Sequence, residues 1–509
     1  MTGFDHLIGG FAVALSWKGL LYCFLGCLWG TVVGVLPGLG PLVGMTLLLP
    51  LTFGLDPTFG IIMLTGIFYG AMYGGSTTSI LLRIPGEAAS VVTCIDGYEM
   101  ARKGRAGPAL MISALGSFVG GTVSILGLMF ITPPLAKLMI AIGPSVQVVL
   151  ILLALLVITA VSAGSRAKTA AMIAIGLALG TVGLDRLTGA PRFTFGSAEL
   201  TGGLSFTALA IGLFGISEIL INLENVTQLS VIRPRLKELI PRWPDLTESA
   251  PAVGRASIIG FIFGIVPGVS HVVATFVSYA VEKRLSKHPE QFGHGAIAGV
   301  AGPETANNAV TGTAMIPLLA LGIPSIPATA ILISALTIHG VQPGPLMLTH
   351  HPEVFWGLVA SMYIGNVILL ILNLPLVGMF VNLLRIPYVW LVPLILIISI
   401  IGVYSVNFST ADIWIMAISG TIGYLLRKFG YEMAPLLLAL VLSDRLEENF
   451  RLALTMSGGS YATFLDRASI LLVIAALGLF LSGSVLAWAF TGRGSYASEA
   501  RRARADVVP

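Results

Sequence analysis

The chain has 509 residues, of which 56% are hydrophobic and 10% are charged, with a mean hydropathy of +0.93. Soluble proteins carry about 25% charged residues, so this composition excludes a soluble globular protein. The net charge of +4 gives no argument for nucleic-acid binding, and no nucleic-acid partner is expected. Apolar runs of helix-spanning length recur along the chain, which predicts an all-α polytopic membrane protein with roughly 10–14 membrane segments.

Four regions are predicted along the chain. Residues 1–224 form a first transmembrane repeat that begins with a short interfacial segment, and 225–255 form a basic, proline-rich linker. Residues 256–457 form a second transmembrane repeat, and 458–509 combine a final transmembrane helix with a basic tail. Because Lys and Arg concentrate in cytoplasmic loops, the linker and the C-terminal tail are both predicted to be cytoplasmic.

Short Gly/Pro motifs occur twice in the same order, which predicts an internal duplication. The three matched pairs are Gly34–Gly38 with Gly264–Gly268, Ile84–Gly86 with Ile323–Ser325, and Ile95–Gly97 with Ile338–Gly340. The shift between the copies is 230 (34 to 264), then 239 (84 to 323), then 243 (95 to 338). A shift that grows slowly along the chain indicates one duplicated unit with small insertions.

The loop charges predict that the two copies have opposite orientations in the membrane. Residues 54–58 carry no Lys or Arg, whereas the corresponding loop of the second copy, 282–294, is basic. The next loop reverses this pattern, because 102–105 is basic and 341–353 carries no Lys or Arg. The basic loops are therefore predicted in the cytoplasm and the other two in the periplasm, as in inverted-repeat transporters.

Each copy is predicted to contain a re-entrant hairpin. The apolar stretch 256–281 has 26 residues and is interrupted at Pro267-Gly268, whereas two full crossings need about 40 residues. It lies between basic segments, so it is predicted to leave the membrane on the side where it entered. Residues 19–54 are the mirrored hairpin, turning at Pro37–Pro41. The two tips are expected to meet near the bilayer midplane, buried in protein or facing water.

Polar residues concentrate at two further places inside the apolar sequence. Copy one has Tyr73–Ser79 followed by Arg83–Glu87, and copy two has Gly302–Asn308 followed by Gly322–Pro324. These runs are predicted to unwind their helices, exposing N–H groups to a carboxylate and carbonyl groups to a cation. The alternative is that Ser and Thr bond back to their own helix and Gly permits close packing.

The predicted binding site combines the hairpin tips with these polar runs. Its substrate-binding candidates are Pro37, Gly38, Gly40, Ser76, Thr77, Thr78, Arg83, Pro267, Gly268, Ser270, Asn307, Asn308, Thr311 and Thr313. Glu304 and Asn307 are the candidates for a coupling ion, either Na⁺ or H⁺, because charges inside a membrane are costly and mark function. Arg83 is interpreted as a clamp for a substrate carboxylate or as a structural residue, and His271 as a proton carrier or a structural residue.

At these motifs the chain resembles the large membrane subunit of the tripartite tricarboxylate transporters, the TctA-like family. The resemblance covers about residues 15–490, and the stretches that carry it are Gly34–Pro41, Tyr69–Glu87, Asp96–Tyr98, Gly264–Gly268, Ser278–Pro289, Pro303–Asn308 and His339–Pro345. It implies uptake of small, tricarboxylate-like acids across the bacterial inner membrane, driven by an ion gradient. It also implies two partners, a small TctB-like membrane subunit and a periplasmic TctC-like binding protein that delivers the substrate.

Two departures from the family pattern lie in the predicted site. Val269-Ser270-His271 stands where the family has a glycine-rich turn, and Arg83 stands where a neutral polar residue is common. The resemblance therefore implies a carboxylate substrate without identifying the acid.

Other function classes are weighed against transport. An intramembrane hydrolase using Ser270 and His271 is disfavoured, because adjacent residues on a helix do not face each other and no G-x-S-x-G or H-E-x-x-H motif is present. A passive channel and a non-transport scaffold remain open, although paired broken helices favour alternating access. No catalytic residue, cofactor or metal site is expected, since Cys23, Cys27 and Cys94 lie in or beside apolar segments.

Overall fold

The computed structural model describes residues 3–36, 39–162, 165–185, 188–224, 239–268, 271–383, 388–466, 470–471 and 473. The protein is an all-α polytopic membrane protein, as predicted. The sheet in the described part is one short antiparallel pair, β1 (Gly183–Leu184) with β2 (Pro191–Arg192).

Ten helices precede the linker. They are α1 (Gly3–Ala14), α2 (Trp17–Val35), α3 (Gly40–Leu48), α4 (Pro57–Leu82), α5 (Thr93–Arg102), α6 (Ala106–Ile140), α7 (Pro144–Val161), α8 (Arg166–Gly180), α9 (Phe206–Ala210) and α10 (Ser217–Glu224). A π-helical turn, Ile211–Ile216, joins α9 to α10. The predicted interfacial segment is α1, and it packs on a later helix, because a Cβ added at Gly10 would lie 2.3 Å from the Trp356 carbonyl oxygen.

The helices after the linker, like those before it, include both long and short ones. They are α11 (Trp243–Ile265), α12 (His271–Leu285), α13 (Ala298–Thr313), α14 (Met315–Leu321), α15 (Pro327–Ile338), α16 (Met347–His350), α17 (Pro352–Asn373), α18 (Val377–Leu383), α19 (Tyr388–Asn407), α20 (Thr410–Lys428) and α21 (Ala434–Met456). Residues 243–255 of the predicted linker form the first part of α11, and the boundaries of the predicted regions stay predictions. Residues 225–238 and the predicted final span and tail from 474 onward lie outside the described residues.

Five helical spans in the described part are long and apolar enough to cross a membrane. They are Trp17–Val35, Pro57–Leu82, Ala106–Ile140, Phe206–Glu224 and Pro352–Asn373. Shorter apolar helices accompany them, among them α15 and the apolar part of α19. The number of membrane segments therefore stays a prediction, because short and broken helices contribute to it.

Both predicted hairpins contain a helix break at the Pro-Gly motif. α2 ends at Val35 and α3 begins at Gly40, while α11 ends at Ile265 and α12 begins at His271. Gly40 and Gly268 have φ values of +58° and +86°, in the left-handed region that glycine adopts without steric cost. Each helix break therefore lies at the motif that predicted it.

The two halves pack their first hairpin arm in the same way. A Cβ at Gly30 of α2 would lie 2.3 Å from the Ile67 carbonyl oxygen of α4, and a Cβ at Gly260 of α11 would lie 2.4 Å from the Ala306 carbonyl oxygen of α13. The same relation holds one turn later for Gly34 with Ala71 and for Gly264 with Val310. The shifts are 230 between the glycines and 239 between their partners, as in the sequence motifs. We call these two contact lines the glycine seams.

The second helix breaks also match in backbone conformation. Arg83 and Gly322, 239 residues apart, end their helices in the left-handed region with φ values of 60° and 71°. Four residues later, Glu87 and Ile326 begin the next helical segment with φ, ψ of −145°, 164° and −142°, 161°. In both segments a hydroxyl three residues further on, that of Ser90 or Thr329, accepts the backbone N–H of this first residue.

The predicted interruptions are confirmed at Arg83–Glu87 and Gly322–Pro324 but are wrong for the polar runs before them, which are helical. Tyr73–Ser79 lies inside α4 and Gly302–Asn308 lies inside α13. Their hydroxyls bond back to the helix, as Ser79 does to the Gly75 carbonyl at 2.9 Å, so the helix tolerates them. The interruptions fall a few residues later, at Arg83–Glu87 and Gly322–Ile326.

α4 and α13, which the shift of 239 relates, run antiparallel against each other. Ser76 near the end of α4 contacts Glu304 near the start of α13. Towards the other ends, a Cβ at Gly312 would lie 2.9 Å from the Tyr69 hydroxyl. Both helices are buried along nearly their whole length.

Loops with the same predicted side of the membrane lie together. Lys103 donates to the His294 carbonyl at 2.6 Å, which joins the two basic loops. At the other end of α4, a Cβ at Gly60 would lie 2.9 Å from a ring nitrogen of His339. Arg105 pairs with Asp245 at the basic face. The two basic loops are therefore in contact, and the sides of the membrane on which the four loops lie stay a prediction.

Asp96 of the first half also bonds to the second half, close to the two basic loops. Its buried carboxylate accepts backbone N–H groups of Gly293, Gly295 and Ala296 at 2.7–2.9 Å and the Tyr279 hydroxyl at 2.8 Å. The third motif match is not a structural equivalence, because Asp96 lies in the first turn of α5, whereas His339 follows the end of α15.

Candidate functional site

Glu304 lies at the centre of the contact between the two halves. It is 1% exposed, and its two carboxylate oxygens accept the hydroxyls of Ser76, at 2.5 Å, and Thr93. Ser76 comes from α4 and Thr93 opens α5, so both donors belong to the first half and the acid to the second. A carboxylate inside the bundle is thereby fixed in position by neutral groups.

A second carboxylate, Glu87, lies beside it at the helix break. One oxygen accepts the backbone N–H of Ala89 at 2.9 Å and the other accepts the side-chain amide of Asn307 at 3.0 Å. Asn307 is one turn after Glu304 on α13, so the two share a helix face. We call this group the polar centre; its members are Ser76, Glu87, Thr93, Glu304 and Asn307.

Four of the five members of the polar centre are buried, and Glu87 is half-buried. Glu304 and Asn307 are 1% and 0% exposed, and Ser76 and Thr93 are buried with them. The oxygen of the Asn307 amide has no hydrogen-bond donor among the described residues. Buried polar atoms are nearly always satisfied in proteins, so this oxygen marks a place where a partner is missing.

The remaining candidates of α13 point in other directions. Asn308 donates to Ser117 of α6 at 2.7 Å and to the Glu304 carbonyl at 3.1 Å. Thr311 bonds the Asn307 carbonyl at 2.9 Å and lies 3.2 Å from a ring nitrogen of His271. Thr313 bonds back to Ala309 at 2.7 Å and lies in the second glycine seam. These side chains surround the helix and do not line one common cavity.

Thr77 and Thr78 are also buried in α4. Thr78 bonds the Gly75 carbonyl at 3.0 Å and lies close to Gly86 of the helix break. Thr77 is 3% exposed. Their assignment to a substrate site stays a prediction.

Each hairpin tip packs against the helix break of its own half. Gly268 donates its backbone N–H to the Ser325 carbonyl at 2.8 Å. In the first half, a Cβ at Gly86 would lie 2.1 Å from the Gly34 carbonyl oxygen. The predicted candidates Pro37, Gly38 and Ser270 lie outside the described residues, as does the predicted meeting of Pro37 with Pro267.

Arg83 is exposed and forms no ion pair in the described part of the chain. Its guanidinium lies 5.9 Å from the centroid of the Tyr98 ring, within the range of a cation–π contact. Non-glycine residues rarely adopt its left-handed conformation, and such residues cluster at functional sites. The side chain therefore leaves the end of α4 with its charge available to a ligand.

Comparison with known proteins identifies the family. A family model described as the tripartite tricarboxylate transporter TctA family matches residues 20–438. The chain belongs to the TctA family. An uncharacterized 52.8 kDa protein of the TAR-I ttuC′ 3′ region of Agrobacterium vitis is 49% identical over 460 residues, 90% of this chain and 92% of that protein. An uncharacterized protein of the TAR-II ttuC′ 3′ region of the same organism is 49% identical over 228 residues, 45% of this chain and 93% of that protein. No solved structure matches the chain.

The resemblance read from the motifs is thereby confirmed. This TctA protein is a membrane component of a tripartite tricarboxylate transporter, and its family is a transporter family, not an enzyme family. Sequence reasoning placed Glu304, Asn307 and Ser76 in the site, and the structure brings these three together. It missed Glu87 and Thr93. The signal for Glu87 was an acid directly after a Pro-Gly break in an apolar segment.

Arg83→Lys is expected to weaken the apparent substrate affinity of this TctA protein by about tenfold, and Arg83→Gln by more. A guanidinium binds a carboxylate through two parallel hydrogen bonds, whereas lysine keeps only the charge. The measurement is the substrate dependence of uptake, normalised to the protein in the membrane. Arg102→Gln, an exposed arginine paired with Glu99, is the control. Unchanged affinity in both Arg83 variants would remove Arg83 from the site.

Proposed function

We propose that this TctA protein forms the translocation pathway of its transporter and carries a small carboxylate inward by alternating access, driven by an ion gradient. The observation that supports this most is the largely buried polar centre, built from both halves beside the helix break at Arg83–Glu87. A carrier needs a buried site that opens to one side at a time, whereas a passive channel needs a continuous wet path. Helix ends at the breaks supply N–H groups for an anion and carbonyls for a cation.

The proposed architecture is an inverted repeat. Two features support it: the glycine seams repeat with the same shifts of 230 and 239 as the sequence motifs, and the related helices α4 and α13 run antiparallel. In transporters of this kind, substrate and ion sites lie at the interface of the repeats near the bilayer midplane. The polar centre occupies such an interface.

Cysteine labelling tests the orientation. We expect Gly54→Cys to react with a membrane-impermeant thiol reagent in intact cells, and Ser286→Cys to react only after permeabilisation. Gly54 is exposed and has nothing within 4 Å of an added Cβ, and the native Cys23, Cys27 and Cys94 are buried. The parent protein is the background control. Labelling of position 286 from outside would contradict the inverted arrangement.

The proposed partners are a small TctB-like membrane subunit and a periplasmic TctC-like binding protein that delivers the substrate. The support is membership of a family that works as one of three components. The proposed location is the bacterial inner membrane, with the basic C-terminal tail in the cytoplasm.

Uptake into proteoliposomes tests the function. The full chain is reconstituted with its small subunit, and the cognate binding protein is added with a panel of radiolabelled mono-, di- and tricarboxylates. We expect accumulation above the outside concentration only when an inward Na⁺ or H⁺ gradient is imposed. Equilibration without a gradient would indicate a passive channel, and no flux by the complete assembly would indicate a scaffold.

A further inference from the structure

Two carboxylates, the buried Glu304 and the half-buried Glu87, share the polar centre without a counter-charge among the described residues. Glu87 and Glu304 accept hydrogen bonds from two hydroxyls, one amide and one backbone N–H, all of them neutral. Within the described residues, no Lys, Arg or His forms an ion pair with either acid. Uncompensated acids inside a membrane protein are costly, so the arrangement calls for a positive charge from outside the chain.

The Asn307 side chain supplies an independent sign of a missing ligand. Its nitrogen donates to Glu87 at 3.0 Å, which fixes the other amide atom as the oxygen, because a carboxylate accepts and does not donate here. That oxygen is fully buried and has no donor among the described residues. Asn307 and Glu304 share a face of α13, and the Asn307 amide contacts Glu87, so the free oxygen lies within the polar centre, next to the Glu87 carboxylate.

We propose that the polar centre binds one Na⁺ ion between Glu87 and Glu304, with the Asn307 oxygen as a neutral ligand. This rests on the proposed function, in which an ion gradient drives uptake. The ligands are all oxygens, which suit a hard cation. Mg²⁺ keeps several waters and Ca²⁺ takes six to eight oxygens, whereas this centre is largely buried and offers three side-chain groups. Na⁺ is the monovalent metal ion whose gradient points inward across bacterial membranes.

The site has no counterpart in the other half. When the two halves are aligned with the shift of 239, Glu304 corresponds to Thr65, Asn307 to Phe68, and Glu87 to Ile326. Phe68 and Ile326 are both buried in the main apolar core. The two halves therefore share a backbone arrangement but not this polar chemistry, and the chain is expected to show one class of Na⁺ site.

The test detects Na⁺ binding through its effect on thermal stability, without transport. The purified full chain in nanodiscs is unfolded thermally over a range of NaCl, with choline chloride holding the ionic strength constant and KCl in a parallel series. We expect the unfolding temperature to rise with Na⁺ along a single saturation curve, and K⁺ to have little effect. Glu87→Gln and Asn307→Ala should each raise the half-saturating Na⁺ concentration at least about tenfold.

Asn373→Ala is the matched control. Asn373 is also a buried asparagine whose nitrogen bonds a carbonyl, that of Leu369 at 3.0 Å, and whose oxygen has no donor in the described structure. It lies on α17, outside the polar centre, so its variant should keep the wild-type Na⁺ response. An equal loss of response in Asn373→Ala would show that any buried amide lost from the bundle has this effect, and would overturn the site.

The remaining outcomes separate this inference from the proposed function. An unfolding temperature that ignores Na⁺ but changes with pH would indicate a proton and overturn the Na⁺ site. Gradient-driven uptake that is independent of Na⁺ would refute the Na⁺ site and would leave the proposed function unaffected. Na⁺ binding with the expected variants, in a protein that accumulates no carboxylate, would keep the site and overturn the proposed function.

Discussion

Gly30→Ala and Gly260→Ala are each expected to remove much of the folded protein from the membrane. Their added Cβ atoms would lie 2.3 Å and 2.4 Å from backbone carbonyl oxygens, and a backbone atom cannot move aside as a flexible side chain can. Overpacking typically costs about 1–3 kcal/mol, and we expect the upper end here. The measurement is the yield and unfolding temperature of each variant in detergent.

Gly254→Ala is the control for the helix itself. It lies on α11 with Gly260, but nothing stands within 4 Å of its added Cβ. Because alanine favours a helix by about 1 kcal/mol over glycine, this variant should be as stable as the parent or more so. If Gly260→Ala matched Gly254→Ala in stability, the glycine seams would not be close contacts. Similar losses at Gly30 and Gly260 would add support for the duplication.

Glu304→Gln is expected to reduce uptake at least about 100-fold, equivalent to about 2.7 kcal/mol, while leaving the amount of membrane protein nearly unchanged. Glutamine keeps the shape of the side chain and can exchange hydrogen bonds with Ser76 and Thr93, because a hydroxyl both donates and accepts. What it removes is the negative charge at the centre of the repeat interface. The measurement is gradient-driven uptake in proteoliposomes at matched protein content.

Glu290→Gln makes the same chemical change in the loop after α12, where the side chain is 68% exposed. It should transport like the parent protein. Normalised uptake by Glu304→Gln within about twofold of the parent would show that the charge takes no part in transport, and would make Glu304 a structural residue.

The positions of helix breaks and the grouping of the basic loops could be predicted from glycine, proline and charged residues. Pro267-Gly268 marked a helix break because proline removes one helical hydrogen bond and Gly268 adopts a left-handed φ. The pattern of Lys and Arg sorted the loops into two groups, and Lys103 with His294 lie together accordingly. These predictions succeeded because each depends on a residue and its immediate neighbours.

Contacts between distant residues were harder to predict. Ser76–Ser79 suggested an unwound segment, yet a hydroxyl can bond back to its own helix, and α4 is continuous there. Glu87 belongs to the polar centre because it accepts a hydrogen bond from Asn307, which is 220 residues away in the sequence. The left-handed conformation of Arg83 could have been predicted, because the shift of 239 aligns Arg83 with Gly322, which ends its helix in that conformation.

The bonds of Asp96 have a consequence for the biosynthesis of the chain. The four hydrogen bonds that stabilise its buried carboxylate come from Tyr279, Gly293, Gly295 and Ala296. These residues leave the ribosome about 10–40 s after Asp96, at synthesis rates of about 5–20 residues per second. During that interval the first half holds a carboxylate whose four hydrogen-bond donors in the folded protein have not yet been made. The first half is therefore expected to reach its final packing around Asp96 only after the second half has been synthesised.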